Sequence, residues 1–164
     1  MSGKTLATAV LVAVLATACA REAGAPAPRV EPVEASTGPA PAAPPPVEVL
    51  RAWDAQRSRA WARGDPATLA DLYAPGSVAG QRDRAMLRAW VARGLVVGRL
   101  HTQLLAVREV SRSRSTWTLR VTDRLVGGVA VGPGVRRPLP VDAATTRTVV
   151  LRWVDGRWLV ASVV

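Results

Sequence analysis

Asp123 is the side chain whose position most clearly invites a chemical role. It lies in a segment that alternates apolar and polar residues, which is typical of a strand with one buried face. The apolar residues in its register are Trp117, Leu119, Val121 and Leu125. A carboxylate on a buried face is costly unless it is paired or protonated, so Asp123 is a candidate for a chemical role. Pairing with Arg124 or another arginine is the simpler expectation, and we favour it over catalysis.

Three further side chains are candidates for chemistry or binding. His101 is the only histidine and could shuttle protons near neutral pH, but we expect a surface or hydrogen-bonded residue. Tyr73 could offer its hydroxyl to a ligand, although we expect its ring to close a helix core with the hydroxyl in solvent. Trp117 is a candidate ligand contact, but core packing explains it and the other five tryptophans more simply.

The residue inventory argues against metal and phosphate chemistry. The chain has one histidine and one cysteine, so we expect no metal site and no other cofactor. Gly127-Gly128 and Gly132-Pro133-Gly134 lack the lysine and the following helix of a phosphate-binding loop.

The single cysteine, Cys19, ends an apolar run that begins near Leu6, after the positive charge of Lys4. The run is shorter than the about 20 apolar residues that span a bilayer, which is typical of a cleaved export signal. The stretch 15–19, LATAC, resembles the bacterial lipobox, in which the cysteine is lipidated and becomes the first residue. It departs from the pattern in having Ala16 where leucine is usual.

We therefore predict a signal peptide over residues 1–18 and a diacylglycerol anchor on Cys19. Two acyl chains suffice for stable anchoring to the outer face of the cell membrane. A plain secretory signal is the alternative, and it would leave Cys19 as a free thiol. Residues 19–47 follow as a tether. Positions 20–46 hold eight prolines and eight alanines with no aromatic residue, so they cannot bury enough apolar surface to fold.

Residues 48–164 predict one α+β domain. Apolar spacing indicates a first helix that starts after Pro46 and is ended by Gly64, and a second begun by Asp65-Pro66. A third is predicted over 81–93 and should bury Met86, Leu87, Trp90 and Val91. Strands are predicted at 96–110, 115–125, 145–154 and 158–164, the last two joined by Asp155-Gly156. The Gly- and Pro-rich segment 127–140 predicts a loop, with a short strand at 129–131 as an option.

The order of these elements resembles the nuclear-transport-factor-2-like (NTF2-like) superfamily, which includes SnoaL-like and ketosteroid-isomerase-like domains. The resemblance rests on an amphipathic helix followed by WARGDPATLADLYAPGS, then a helix, then a meander ending LRWVDGRWLVASVV. The resemblance implies a strongly curved sheet wrapped around the helices as a cone, with a pocket at its open end. Isomerases of this kind use a pocket carboxylate as general base, and many members pair through the outer sheet face. Others only bind, so the fold alone does not give the function.

The chain is strongly basic, with 22 Lys plus Arg against 12 Asp plus Glu. A GC-rich coding bias explains most of this charge, because residues 48–164 hold 19 arginines and no lysine. Anionic lipids would attract such a domain, and export makes nucleic acid a poor partner.

The sequence thus leaves two main hypotheses. In the first, an anchored lipoprotein uses a non-catalytic domain to hold an apolar ligand or contact an envelope protein, with Asp123 and Tyr73 as polar contacts. In the second, the domain is an isomerase-like enzyme with Asp123 as base. A structural homodimer formed through the sheet is a third.

Overall fold

The computed structural model describes residues 44–164, so the predicted signal peptide, Cys19 and most of the predicted tether lie outside the described residues. Three helices precede five strands, which confirms the predicted α+β class. They are α1 Pro46–Arg63, α2 Pro66–Ala70, α3 Val78–Val91, β1 Val96–Arg112, β2 Thr116–Gly132, β3 Val135–Pro138, β4 Thr145–Val154 and β5 Arg157–Val163. Within residues 44–164, no helix has the length and apolarity to cross a membrane.

The helix ends follow from local chemistry. Gly64 takes a left-handed conformation with φ 64°, which ends α1 where the sequence predicts it. The Asp65 side chain accepts hydrogen bonds from the backbone N–H groups of Ala67 and Thr68, so it caps α2. Ser77 caps α3 in the same way through Gly80 N–H, and α3 therefore begins three residues before the predicted start at position 81.

All strand pairs in the sheet are antiparallel, and β2 pairs with three other strands. One edge of β2 pairs with β1 along its length, while the other edge pairs with β4 over 116–123 and with β3 over 129–132. Strand β5 then pairs with β4 across the predicted Asp155-Gly156 turn. The β1–β2 register shifts at four places, and such bulges bend and twist a strand. The sheet therefore curves around the helices.

The predicted loop over 127–140 is wrong for most of its length. Strand β2 continues to Gly132, and Pro133 and Gly134 form a two-residue turn into β3. Gly132 lies against the turn that follows α3, because a Cβ there would stand 2.5 Å from the Gly94 carbonyl oxygen. Here glycine marks a close approach between two backbones, not an irregular loop.

The core lies between the helices and the concave sheet face. Its largest fully buried side chains include Trp117, Leu119, Leu87, Leu69 and Leu151. Two predicted core residues of α3 are instead exposed, Met86 by 54% and Val91 by 41%. Helix α3 packs mainly on α2 and β5, and the apolar stripe predicted for it is wider than the face it buries.

Candidate functional site

A cavity of about 410 Å³ lies between helices α1 and α3 and the concave face of the sheet. Its walls are largely apolar, with Leu50 from α1, Leu100 and Leu104 from β1, Val121 from β2 and Val149 from β4. The exposed Met86 of α3 lies in the same lining. Pockets that hold small molecules have this size and composition, about 300–1,000 Å³ with a few placed polar groups.

Asp83 is the most deeply buried charged residue in the lining, with 8% of its surface exposed. It accepts two hydrogen bonds of 2.7 Å from Arg57, through Nε and Nη2. The Tyr73 hydroxyl donates to it at 2.8 Å, and the Trp61 indole N–H at 3.2 Å. This four-residue group is called the Asp83 cluster below. It joins α1, α3 and the segment that follows α2.

The Asp83 cluster fixes the protonation of its members. Burial raises the pKa of the Tyr73 hydroxyl, and the charge of Asp83 raises it further, although Arg57 acts in the opposite direction. Burial opposes the charge on Arg57, but the hydrogen bonds and charge of Asp83 outweigh it and raise the pKa of Arg57. Tyr73 is therefore a neutral donor and Arg57 a permanent cation. The prediction that the Tyr73 hydroxyl lies in solvent is wrong, because Asp83 accepts its hydrogen bond.

The sequence carried a signal for Asp83 that the pattern analysis missed. Asp83 precedes Leu87 by four residues and Trp90 by seven, so it shares their helix face. A carboxylate on a buried helix face needs an opposite charge or hydrogen-bond donors beside it, as a carboxylate on a buried strand face does. Its partner Arg57 stands 26 residues earlier on α1, and no local spacing indicates that pairing.

Asp123 lies on the cavity wall, as its register predicts, with its side chain 18% exposed. Arg147 Nη2 stands 3.0 Å from Asp123 Oδ1, which confirms an arginine partner. The partner is Arg147 of β4 and not Arg124, which donates to Gln103. The Arg147 guanidinium donates its aligned hydrogen bonds to Thr145 Oγ1, so the buried Asp123 Oδ1 has an ion-pair neighbour but accepts no aligned hydrogen bond.

Two more carboxylates, from Asp54 and Asp142, complete the polar part of the lining. Asp54 Oδ2 accepts a long bond of 3.4 Å from the backbone N–H of Thr102. Asp142 is placed by its own backbone N–H, which donates to the Leu125 carbonyl at 3.0 Å. Among residues 44–164 no three His, Cys, Asp or Glu side chains lie close enough together to hold a metal ion.

Two predicted candidates lie outside the cavity lining. His101 is exposed on β1 beside a register shift, opposite Gly127, and it makes no side-chain hydrogen bond to the described residues. Trp117 is fully buried and stacks on Trp158 with ring centroids 4.2 Å apart. It is therefore a core residue, which agrees with the prediction that core packing explains the tryptophans. Of the candidates, only Asp123 and Tyr73 meet in one site.

Comparisons with solved structures support the fold. The intermembrane space region of the chloroplast protein ARC6 aligns with a TM-score of 0.54 at 14% identity, over 71% of this chain and 90% of that chain. Aln2 from a Streptomyces species aligns with a TM-score of 0.50 at 14% identity, over 74% of this chain and 90% of that chain. An NTF-2 like protein of unknown function from Shewanella oneidensis aligns with a TM-score of 0.48 at 12% identity, over 73% of this chain and 97% of that chain. This TM-score is too low to support an argument about the fold.

These likenesses concern the fold and not the function, because the identities are far too low to transfer a site. No protein-family model and no curated protein matches the sequence. The predicted α+β fold, with N-terminal helices packed in a curved antiparallel sheet, is confirmed by the element order and the strand pairing, and the two aligned structures share it.

Proposed function

We propose that the protein is a membrane-anchored lipoprotein of a bacterial envelope whose cone domain binds an apolar small molecule without converting it. The observation that supports it is the cavity of about 410 Å³ with apolar walls inside the cone. A cavity of this size removes a drug-sized apolar ligand from water, and burial of apolar surface contributes about 25 cal/mol per Å².

The polar groups of the cavity favour binding over catalysis. An enzyme of the isomerase kind needs a base with access to the substrate and a free donor for the developing oxyanion. Asp123 has the Arg147 guanidinium 3.0 Å away. The Tyr73 hydroxyl and two nitrogens of Arg57 already donate to Asp83, so these donors are engaged within the Asp83 cluster.

The anchor rests on the sequence alone, through the apolar run, the LATAC stretch and the lone Cys19. A lipid on Cys19 and a tether over 19–47 would hold the domain at the outer face of the membrane. Apolar molecules partition into that membrane, so an anchored cone would work where its ligand is concentrated.

The binding part of this proposal is tested with N-phenyl-1-naphthylamine, a neutral apolar dye whose fluorescence rises in apolar surroundings. Wild type should bind one dye per chain. Leu104→Trp fills the cavity, because Leu104 lies in its lining, and should weaken dye binding at least about tenfold. Leu105→Trp is the matched control, since Leu105 is the next residue and is 47% exposed outside the lining. Equal binding by both variants, or none by wild type, would refute the proposal.

One observation keeps the enzyme as a second candidate. Asp123 Oδ1 is buried, faces the cavity and accepts no aligned hydrogen bond, as a base awaiting a substrate proton would. A base at this position should exchange the α-deuterons of deuterated 2-decanone for solvent protons, and Asp123→Asn should abolish that exchange. Mass spectrometry of the ketone measures the loss of deuterium. Exchange at the buffer rate by wild type would remove the enzyme hypothesis.

A further inference from the structure

The sign of the charge inside the cavity is opposite to that of the chain. The whole chain has a formal net charge of +10. The cavity lining contains four carboxylates, Asp54, Asp83, Asp123 and Asp142, against two guanidinium groups, Arg57 and Arg147. Because every element except α2 carries arginine, a net negative lining is a property of this site and not of the composition.

The excess negative charge belongs to two of these residues. Arg57 pairs with Asp83 and Arg147 with Asp123, so those charges cancel. Within residues 44–164, no arginine lies within ion-pair distance of Asp54 or Asp142. Asp54 approaches Thr102, and Asp142 is bonded to Leu125, while Thr102 and Leu125 are register partners in β1 and β2. The two unpaired carboxylates therefore flank the same end of the cavity.

Aromatic rings supply a second feature suited to a cation. Trp53, Trp61, Trp90 and Tyr73 all line the cavity. The Arg57 guanidinium lies 5.9 Å from the centroid of the Trp53 ring and 5.7 Å from that of Trp61, so these two rings already stabilise a cation of the protein itself. Aromatic rings with nearby carboxylates are how proteins recognise quaternary ammonium groups.

We infer that the cavity selects an apolar ligand that carries a positively charged organic group, such as an alkylammonium. The apolar body lies against the leucine and valine walls, and the charged group lies at the end flanked by Asp54 and Asp142. A bare metal ion does not fit, because the carboxylates line a wide wall without converging as ligands. The inference rests on the proposed binding function, which it deepens by assigning the charge of the ligand.

Three octyl probes that differ in charge test the selection: octyltrimethylammonium, 1-octanol and octyl sulfate, titrated as monomers into the wild-type protein by calorimetry. The ammonium should bind about tenfold more tightly than the alcohol, because two unpaired carboxylates, the half-buried Asp54 and the exposed Asp142, attract it at that end of the cavity. The sulfate should bind most weakly. The ammonium advantage should fall as salt is raised.

The double variant Asp54→Asn/Asp142→Asn assigns the effect to the cavity. It should bring ammonium affinity to within about threefold of the alcohol while leaving the alcohol unchanged. The control Asp71→Asn/Glu109→Gln removes the same charge from exposed positions outside the lining, and it should keep the wild-type preference. Thermal unfolding verifies that both variants fold.

The outcomes separate this inference from the function on which it rests. Equal binding of ammonium and alcohol, with both weakened by Leu104→Trp, would overturn the charge selection and leave the apolar-binding function standing. No binding of any probe would overturn both. An ammonium preference that the Asp71/Glu109 control loses as fully as the Asp54/Asp142 variant would also overturn the inference, since overall charge would then explain it.

Discussion

Arg57 and Asp83 form a two-pronged ion pair, with Nε and Nη2 each 2.7 Å from a carboxylate oxygen, and it joins helix α1 to helix α3 at the wall of the cavity. Asp83 also accepts the Tyr73 hydroxyl and the Trp61 indole N–H, so its carboxylate is fully partnered although only 8% of its surface is exposed. The pair joins the two helices that line the cavity, and we assign it a structural role.

Asp83→Asn should destabilise the domain strongly. The amide keeps the volume but removes the charge, and it leaves the half-buried Arg57 guanidinium without its counter-ion. Removing one partner of a buried ion pair costs about 3–5 kcal/mol, and the partial exposure of Arg57 places the expected loss near the lower figure. Urea unfolding measures the change in the free energy of unfolding. Asp71→Asn, at an exposed carboxylate, is the control and should change the free energy of unfolding by less than about 0.5 kcal/mol. A small loss for Asp83→Asn would show that the pair does not hold the helices.

Gly80→Ala should destabilise α3 although alanine is the better helix former. A Cβ at position 80 would stand 2.5 Å from Tyr73 Cγ, so the tyrosine ring would have to move from Asp83. Overpacking of this kind costs about 1–3 kcal/mol, which exceeds the gain of about 1 kcal/mol in helix propensity. Gly98→Ala is the matched control, because a Cβ there has no atom within 4 Å. Stabilisation by Gly80→Ala would contradict the packing described.

Asp65 should give the domain a pH-dependent contribution to stability. The hydroxyl and backbone N–H of Thr68 lower the pKa of Asp65 in the folded state below its ordinary value. Its cap is therefore fully present above the unfolded-state pKa of about 3.9 and is lost as the pH falls through the lower folded-state pKa. Asp65→Ala should lower the urea midpoint at pH 7, and the difference from wild type should shrink below about pH 4. If the difference in urea midpoint between the variant and wild type does not change with pH, the Asp65 carboxylate does not stabilise α2 as a charged cap.

Cys19→Ser should release the protein from the membrane. If the proposed anchor is correct, wild type isolated from bacterial membranes should have an intact mass that starts at Cys19 and includes a diacylglycerol, because the LATAC stretch resembles a lipidation signal. The variant should lack that added mass and leave the membrane fraction. A wild-type protein without lipid, or one that still carries residues 1–18, would contradict the anchor while leaving the cavity proposals intact.

Much of the fold was predictable because its signals are local. Gly64, Asp65-Pro66 and Asp155-Gly156 each act on the backbone within a few residues, and the structure places a helix end, a helix start and a hairpin turn there. The segment 127–140 misled the prediction because glycine there serves the close approach of Gly132 to Gly94, which only the tertiary fold reveals.

The site was predictable only in part, for a related physical reason. The face of Asp123 followed from strand alternation, but its partner Arg147 was one arginine among 19 in residues 48–164. The Asp83 cluster depends on contacts between residues 10 to 26 positions apart, which no helical or strand period connects. Asp54 and Asp142 look like ordinary surface acids until β1 and β2 bring Thr102 and Leu125 together.

A crystal structure of the protein grown with N-phenyl-1-naphthylamine tests most directly the claim that the cone cavity is the binding site. The account predicts one dye molecule between α3 and the concave sheet face, in contact with Leu104 and Met86, with the Arg57–Asp83 pair unbroken. Dye found only on the outer face of the sheet, or a cavity closed by its own side chains in a fully occupied crystal, would contradict it.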